Sequence, residues 1–422
     1  MSREGYKMTE LGEIPQEWNI CRVFDIRDKS DKYSFTGGPF GSNLKSCDYT
    51  EDGIRVIQLQ NIGDGYFSDQ YKIYTSQRKA DELLSCNIYP GEIILAKMAD
   101  PVARACIIPN NENRYLMCSD GIRLKIDNNE CDNRYIMYSI NSEYFRRSAI
   151  ANSTGSTRLR IGLNELKNLQ LIIPPLKEQQ KIADILSTVD QQIEQTDALI
   201  EKTKELKKGL MQRLLTKGIG HIEFRDTELG RIPKGWEVVP LGKVCTVRSE
   251  KYTPSQDEDR QYVALEHIEQ ETGRLLGIGK SSETSSLKAI FKEGDVLFGK
   301  LRPYLKKYYL ADFEGVCATE ILPIMVNDKC LSKFLFYIVQ QEKFINFTVQ
   351  GSFGTKMPRT SWGEIKEYLI ALPSIQEQKD ITDVLYMVDT NLEQYQEKKK
   401  NLLLVKSGLM DKLLTGRVRV KI

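Results

Sequence analysis

The stretch Pro174-Pro175-Leu176-Lys177-Glu178-Gln179 opens PPLKEQQKIADILSTVD (174–190), and the chain returns to it in PSIQEQKDITDVLYMVD (373–389). The two copies lie 199 residues apart, 373 against 174. The match extends outward at the same offset. Upstream, Glu165-Leu166-Lys167 faces Glu364-Ile365-Lys366. Downstream, Gly209-Leu210-Met211 and Leu214-Leu215-Thr216 face Gly408-Leu409-Met410 and Leu413-Leu414-Thr415. A second match lies further out. Thr9-Glu10-Leu11-Gly12-Glu13-Ile14-Pro15, then Trp18, returns as Thr227-Glu228-Leu229-Gly230-Arg231-Ile232-Pro233, then Trp236, at an offset of 218 (227 against 9). The second middle region is therefore shorter by 19 residues, the difference between the two offsets. The middles correspond only faintly: Tyr89–Ile94 faces Lys292–Leu297, and Lys97 faces Lys300. Duplication followed by uniform drift would erode all parts alike. Here two frames match while their contents diverge.

Both repeated segments open long helices. Apolar residues recur in steps of three and four at Ile182, Ile185, Leu186, Val189, Ile193, Leu199, Ile200, Leu206, Leu210 and Leu214. They recur again at Ile381, Val384, Leu385, Val388, Leu392, Tyr395, Leu402, Val405, Leu409 and Leu413. That spacing makes one apolar stripe on a helix. Pro174-Pro175 suits a helix start, and Gly218 and Gly220 a helix end. Roughly 40 residues at about 1.5 Å each make a rod of about 60 Å. Such a helix is marginal alone, so the two stripes are expected to pair, antiparallel, about a pseudo-two-fold axis. Packing is expected at Ile182, Leu186, Val189, Ile193, Leu206 and Leu210 against Ile381, Leu385, Val388, Leu392, Leu409 and Leu413. Polar gaps at Thr196, Thr203, Lys398 and Lys399 predict a loose middle. A helix folded back on its own globular domain is the simpler alternative.

The expected fold class is α+β: two mixed α/β modules separated by the two helices of a coiled coil. The expected divisions are 1–172, 173–218, 219–371 and 372–422. β-rich runs at 53–62, 92–98, 295–300 and 320–326 alternate with Gly, Asn, Asp and Pro clusters, and helical stretches fall near 132–149 and 331–347.

Basic residues gather in loops at comparable places of the two modules. In the second, 298–310 carries Lys300, Arg302, Lys306 and Lys307 among Tyr304, Tyr308 and Tyr309 with no acid, and 351–362 adds Lys356 and Arg359. In the first, 152–166 carries Ser156, Thr157, Arg158 and Arg160. Lys97 and Arg104 flank Met98–Ala103, and the glycine-rich 36–49 carries Asn43 and Lys45. Arg and Lys neutralise phosphates, hydroxyls and main-chain amides bind phosphate oxygens, and Arg and Asn read guanine and adenine edges. An incidentally charged solvated face would explain any one of these loops. Four in a duplicated frame point to nucleic acid.

Other classes leave no trace. Nine scattered cysteines form no C-x-x-C pair, and His221 and His267 are the only histidines, which leaves no metal or disulfide framework and fits a reducing cytoplasm. No window approaches 18 consecutive apolar residues, and the N-terminal residues carry no secretory apolar core. Gly279-Lys280-Ser281 is not a phosphate loop, because Arg274 stands where the first glycine is needed. No nucleophile elbow or zinc-protease motif occurs. An acidic, nuclease-like cluster stays open on spacing alone, as does a scaffold whose modules bind proteins. A net charge of only +2 places any DNA affinity on local loops.

With these features in view, the chain resembles the specificity subunits of type I restriction–modification enzymes. The L-G-x-I-P-x-x-W starts at 11–18 and 229–236, the E-Q segments at 173–179 and 372–378, and the G-L-M-x-x-L-L-T ends at 209–216 and 408–415 carry the resemblance. It implies that each variable segment is a target recognition domain reading half of a split, asymmetric sequence in double-stranded DNA. The two helices would set the spacer and dock two methylation subunits, with restriction subunits able to join. Catalysis, with S-adenosylmethionine, ATP and magnesium, would belong to those partners and none to this chain.

Overall fold

In a computed structural model the described residues are 3–98, 100–255, 258–354 and 356–421. Ala99 of the 98–103 segment and Thr355 of the 351–362 loop lie outside them. Two compact units emerge: Met1–Thr196 with Lys398–Ile422, and Asp197–Glu397. Each takes one half of each long helix, Leu176–Lys217 and Ile375–Leu414.

The first unit contains two sheets. One has four antiparallel strands in the order Ala105–Ile107, Ile93–Ala96, Gly121–Leu124, Phe35–Gly37. The other has five, in the order Tyr49–Thr50, Ile73–Thr75, Ile54–Ile57, Tyr115–Met117, Asn87–Ile88, with one parallel pair between Ile54–Ile57 and Tyr115–Met117. The module begins and ends together, because Asn19–Arg22 pairs with Gln170–Ile173. The second unit repeats this plan. Cys245–Val247, Ile321–Val326, Val296–Gly299 and Tyr308–Leu310 form its four-stranded sheet, and Glu237–Pro240 pairs with Leu369–Leu372. Its five-stranded sheet shares four positions with the first, including the parallel pair of Gln261–Val263 and Gly315–Ala318. The fifth strand moves to the other edge. Tyr49–Thr50 lies beside Ile73–Thr75, whereas Lys251–Tyr252 lies beside Lys288–Phe291. Divergence in the middles is thus partly a change of edge strand. The first unit also carries a helix, Gln77–Glu82, in a connection that the second makes with a single short turn, Ser281–Glu283.

One ion pair shows the same frame met by different means. Glu92 and Asp295 occupy equivalent turns, each accepting from the main chain three residues earlier, Tyr89 N and Lys292 N, at 2.9 Å. Arg123, from the strand Gly121–Leu124, reaches Glu92 at 2.6 Å, whereas Arg248, after Cys245–Val247, reaches Asp295 at 2.8 Å. A buried carboxylate needs a cation, and either strand can bring one.

The repeated sequence signatures seat the helices on their modules. Trp18 Nε1 donates to Glu178 at 2.9 Å, and Trp236 Nε1 to Glu377 at 2.9 Å. The neighbouring glutamine, fully buried in both copies, joins the helix start to the helical pair of the module. Gln179 accepts from Asp132 N and donates to the Pro174 and Glu130 carbonyls; Gln378 accepts from Leu331 N and donates to Pro373 and Lys329. Those helical pairs are Asn133–Ile140 with Glu143–Ala151, and Ser332–Val339 with Glu342–Gln350. The long helices end at Gly218 and Gly416, with φ of 64° and 70°. A Cβ there would lie 2.7 Å from the Trp236 ring in one case and 2.4 Å from Pro15 in the other, so the terminating glycine is required twice over.

The helix halves pair antiparallel within each unit. In the first, Asp190 binds Lys406 at 2.6 Å and Glu178 binds Arg419, just past the end of the second helix, at 2.6 Å, so the partner's number falls as the first helix advances. In the second, Glu377 meets His221 at 2.7 Å and Asp389 meets Lys207 at 2.7 Å. Ile182, Leu186 and Leu413 share the first core; Leu210, Ile381 and Leu385 meet in the second. Val189 and Val388 are buried, while Ile193, Leu392 and Leu409 are half-buried. Several expectations change, since Leu199, Val384 and Val405 of the expected stripe are 40%, 37% and 50% exposed. Thr196 is no gap: it is 1% exposed, its hydroxyl satisfied by the Gln192 carbonyl. Leu206, expected in the packed stripe, is 55% exposed, because the next residue, Lys207, takes the inward position to reach Asp389 and Gln340. No described helix is long and apolar enough to cross a membrane.

Candidate nucleic-acid interface

In the first unit the strand Ile93–Ala96 runs into a finger, described at residues 97–98 and 100–104, that returns along Ala105–Ile107. Ala103 N donates to the Ala96 carbonyl at 3.1 Å and Ala96 N to the Arg104 carbonyl at 2.9 Å, closing its base. In the second unit, residues 300–307 form the matching finger between Val296–Gly299 and Tyr308–Leu310, closed by Gly299 N to the Lys307 carbonyl at 2.8 Å. Both turn through a left-handed residue just before the base, Ala103 (φ 60°) and Lys306 (φ 49°). Arg302, with φ 52°, is left-handed as well.

Beside each finger runs a pinched loop. Thr154 and Arg160 exchange main-chain bonds at 2.9 Å, and Phe353 and Arg359 do the same at 2.9 and 3.0 Å. Ile161 N then donates to the Lys97 carbonyl at 2.9 Å, and Thr360 N to the Lys300 carbonyl at 3.0 Å, so loop and finger form one surface. The Arg160 guanidinium binds Asp120 at 3.1 Å, and Arg359 binds Glu320 at 3.1 Å. Asp120 and Glu320 also accept Lys97 N and Lys300 N on their main-chain carbonyls, at 2.7 and 2.9 Å. These two acids are parts of the site that the sequence reading missed. Their offset of 200, close to that of the repeat, was the available signal.

The loop tips face solvent. Ser156, Thr157, Arg158 and Lys356 are exposed, and Phe353 is 70% exposed. On the fingers, Arg302 is exposed and Tyr304 is 48% exposed. The first unit adds a glycine-rich loop: Gly38 N donates to the Gly121 carbonyl at 2.8 Å, and Phe40, Asn43 and Lys45 beyond it are exposed. Gly37 lies against Lys97, where a Cβ would stand 2.6 Å from Nζ. Burial lowers the Lys97 pKa, and repulsion from Arg160 adds to this, with Asp120 opposing. Its ammonium donates to the Ser119 carbonyl at 3.2 Å, a neutral partner that leaves its charge available.

Three expected DNA ligands are engaged internally instead. Arg104 donates to the Leu59 carbonyl at 2.9 Å, and at the matching place Lys307 donates to the Leu265 carbonyl at 2.5 Å. Both pin a finger base to the adjoining sheet's short turn, Leu59–Asn61 or Leu265–His267. Lys306 lies between Glu271 at 2.9 Å and Glu342 at 2.5 Å. Burial pulls its pKa down, but those two carboxylates outweigh burial and raise it. Its charge is spent inside the unit.

Each unit thus offers a finger carrying a lysine at its base, Lys97 or Lys300, a hydroxyl- or lysine-bearing loop, and solvent-facing aromatics, a combination suited to phosphates and base edges. Among the described residues, no group of three His, Cys, Asp or Glu side chains is arranged to hold a metal ion.

Residues 19–205 and 233–403 match the family described as type I restriction modification DNA specificity domain. The chain is 26% identical over 442 residues to the type I restriction enzyme MjaVIII specificity subunit of Methanocaldococcus jannaschii, covering 99% of this chain and 97% of that one. Among solved structures, its fold is similar to the S subunit of a type I restriction–modification system from M. genitalium, with a TM-score of 0.59, 16% identity and full coverage of both chains. A chain from a structural study of complex assembly in the type I R-M system matches with a TM-score of 0.57 and 13% identity, over 96% of this chain and 99% of that one.

Proposed function

Because this chain belongs to the family of type I restriction modification DNA specificity domains, we propose that it is the sequence-specific DNA-binding subunit of a type I restriction–modification complex. One observation carries the reading beyond family membership. The same finger-and-loop frame is built twice, and its exposed residues differ: Asp100 on the finger and Ser156, Thr157 and Arg158 on the loop of one unit, Arg302 and Tyr304 on the finger and Lys356 on the loop of the other. Two readers on one frame with unlike tips read two unlike half-sites, so the target is split and asymmetric.

In this reading Lys97, Arg158, Lys300 and Lys356 supply positive charge to phosphates, and Arg160 and Arg359, each paired with an acid of the frame, set the loop beside the finger. Ser156, Thr157, Asn43 and Lys45 add hydrogen bonds at close approach. The two long helices set the spacer between the half-sites and dock two methylation subunits, with restriction subunits able to join. The chain is not itself catalytic, and S-adenosylmethionine, ATP and magnesium are bound by those partners, in the cytoplasm. Sequencing of methylated bases in cells carrying this chain and its methylation subunit tests the reading. A bipartite asymmetric motif supports it, and a continuous motif overturns it.

A further inference from the structure

We propose that the two fingers read bases of opposite hydrogen-bonding character: Asp100 accepts from a base amino group in one half-site, and Arg302 donates to a guanine in the other. The inference rests on the DNA-reading function above and adds the residues and the base chemistry that separate the half-sites.

Both fingers carry an exposed charged residue directly before a proline, Asp100-Pro101 and Arg302-Pro303, but the charges are opposite. The residues that follow Asp100 are held in place. Val102 and Ala103 are 1% exposed, and Arg104 is anchored on Leu59. Arg104 also donates to the Asp100 main-chain carbonyl at 3.3 Å, while the carboxylate has no hydrogen bond or ion pair among the described residues. An exposed carboxylate on an otherwise basic surface is repelled by phosphate. Its favourable partners in a major groove are amino groups, N4 of cytosine or N6 of adenine.

Arg302 is presented rigidly. Its own φ of 52° and that of Lys306 bracket a single turn, Pro303–Leu305, in which Pro303 is buried. Arg302 N donates to the Pro358 carbonyl at 2.7 Å, and Lys306 is clamped by Glu271 and Glu342. Among the described residues the guanidinium makes one long bond, 3.5 Å to the Lys356 carbonyl, and keeps its remaining donors for a ligand. A left-handed residue other than glycine is strained, and strain of this kind collects where geometry is used. Phosphate neutralisation needs no fixed fork, whereas bidentate recognition of guanine O6 and N7 does.

The test uses the full chain assembled with its methylation subunits, and compares the methylated motif of wild type with those of Asp100→Ala, Arg302→Ala and Arg302→Lys. Each alanine variant should relax one position in one half-site, with discrimination there falling about 5- to 150-fold, and leave the other half-site strict. Arg302→Lys should relax the same guanine. Strict motifs in all variants, with only a uniform loss of affinity, would overturn the inference. A wild-type motif that is not split would instead overturn the underlying function. Should a variant fail to assemble, the wild-type complex on DNA bearing 7-deazaguanine decides the Arg302 half. Lost methylation at one guanine position supports it, and unchanged methylation with every guanine replaced refutes it.

Discussion

The ammonium of Lys207 lies 2.7 Å from the Asp389 carboxylate, and 199 residues along in each direction of the repeat Lys406 stands 2.6 Å from Asp190. Each carboxylate also accepts a tyrosine hydroxyl from the adjoining module, Tyr337 at 2.9 Å and Tyr138 at 2.6 Å. One carboxylate thus joins both long helices and a recognition module. Asp389→Ala should cost about 1–3 kcal/mol, since it strands a partly buried ammonium and a hydroxyl together. Thermal melts of Lys207→Ala, Asp389→Ala and the double variant check this. A coupling energy of at least about 0.5 kcal/mol is expected, and simple additivity would contradict the contact.

The two tryptophan clamps should differ in strength. The Glu178 side chain is fully buried and binds Trp18 and Arg419, whereas the Glu377 side chain is 17% exposed and binds Trp236 and His221. Removing a buried charge that organises two partners costs more than removing one that water reaches. Glu178→Ala should therefore destabilise by about 2–4 kcal/mol and Glu377→Ala by about 1–3 kcal/mol. Denaturant melts of the two variants give the order, and a larger loss for Glu377→Ala would contradict it.

Lys97 should trade stability for binding. Its folded pKa is depressed by burial and by Arg160, so the unfolded chain binds more protons over the interval between the folded and unfolded values. Stability contributed at this site therefore rises as pH climbs through that interval, and is least below it, where the ammonium is charged in both states. Lys97→Met should raise the melting temperature at neutral pH, flatten its rise toward alkaline pH, and weaken DNA binding. A lower melting temperature with unchanged affinity would contradict both halves of this argument.

The exposed tip cations should act through salt. Arg158→Ala or Lys356→Ala should lower the slope of log affinity against log salt by about one each, while Arg104→Ala and Lys307→Ala, whose cations are turned inward, should leave the slope alone. Binding titrations between about 50 and 200 mM salt distinguish the two groups. Salt-independent binding throughout would favour a protein ligand over DNA.

Much of this frame was readable because the residues that build it are held by local or repeated rules. Glu178-Gln179 and Glu377-Gln378 recur because each pair seats a helix on a module, and the tryptophans recur because they cap those glutamates. The apolar stripe needed only the helical period, and Gly218 only the need to end a helix; the matching Gly416 emerged from the structure. The site was less readable, for a physical reason. A lysine on a loop looks the same whether it faces phosphate or a carboxylate far along the chain. Lys306 is satisfied by Glu271 and Glu342, and Arg104 by a carbonyl 45 residues away, partners that only the folded sheets bring near. Leu206 was misjudged for the same reason, since the charge pair of Lys207 turns the helix face by one residue.

On the proposed function, two unlike readers on one duplicated frame recognise two unlike half-sites. Genome-wide mapping of methylated bases, in cells that express this chain with its methylation subunit, tests it most directly. A motif of two different short blocks separated by an unspecified spacer is expected, with Asp100→Ala and Arg302→Ala relaxing different blocks. A single continuous motif, or two identical blocks, would contradict it.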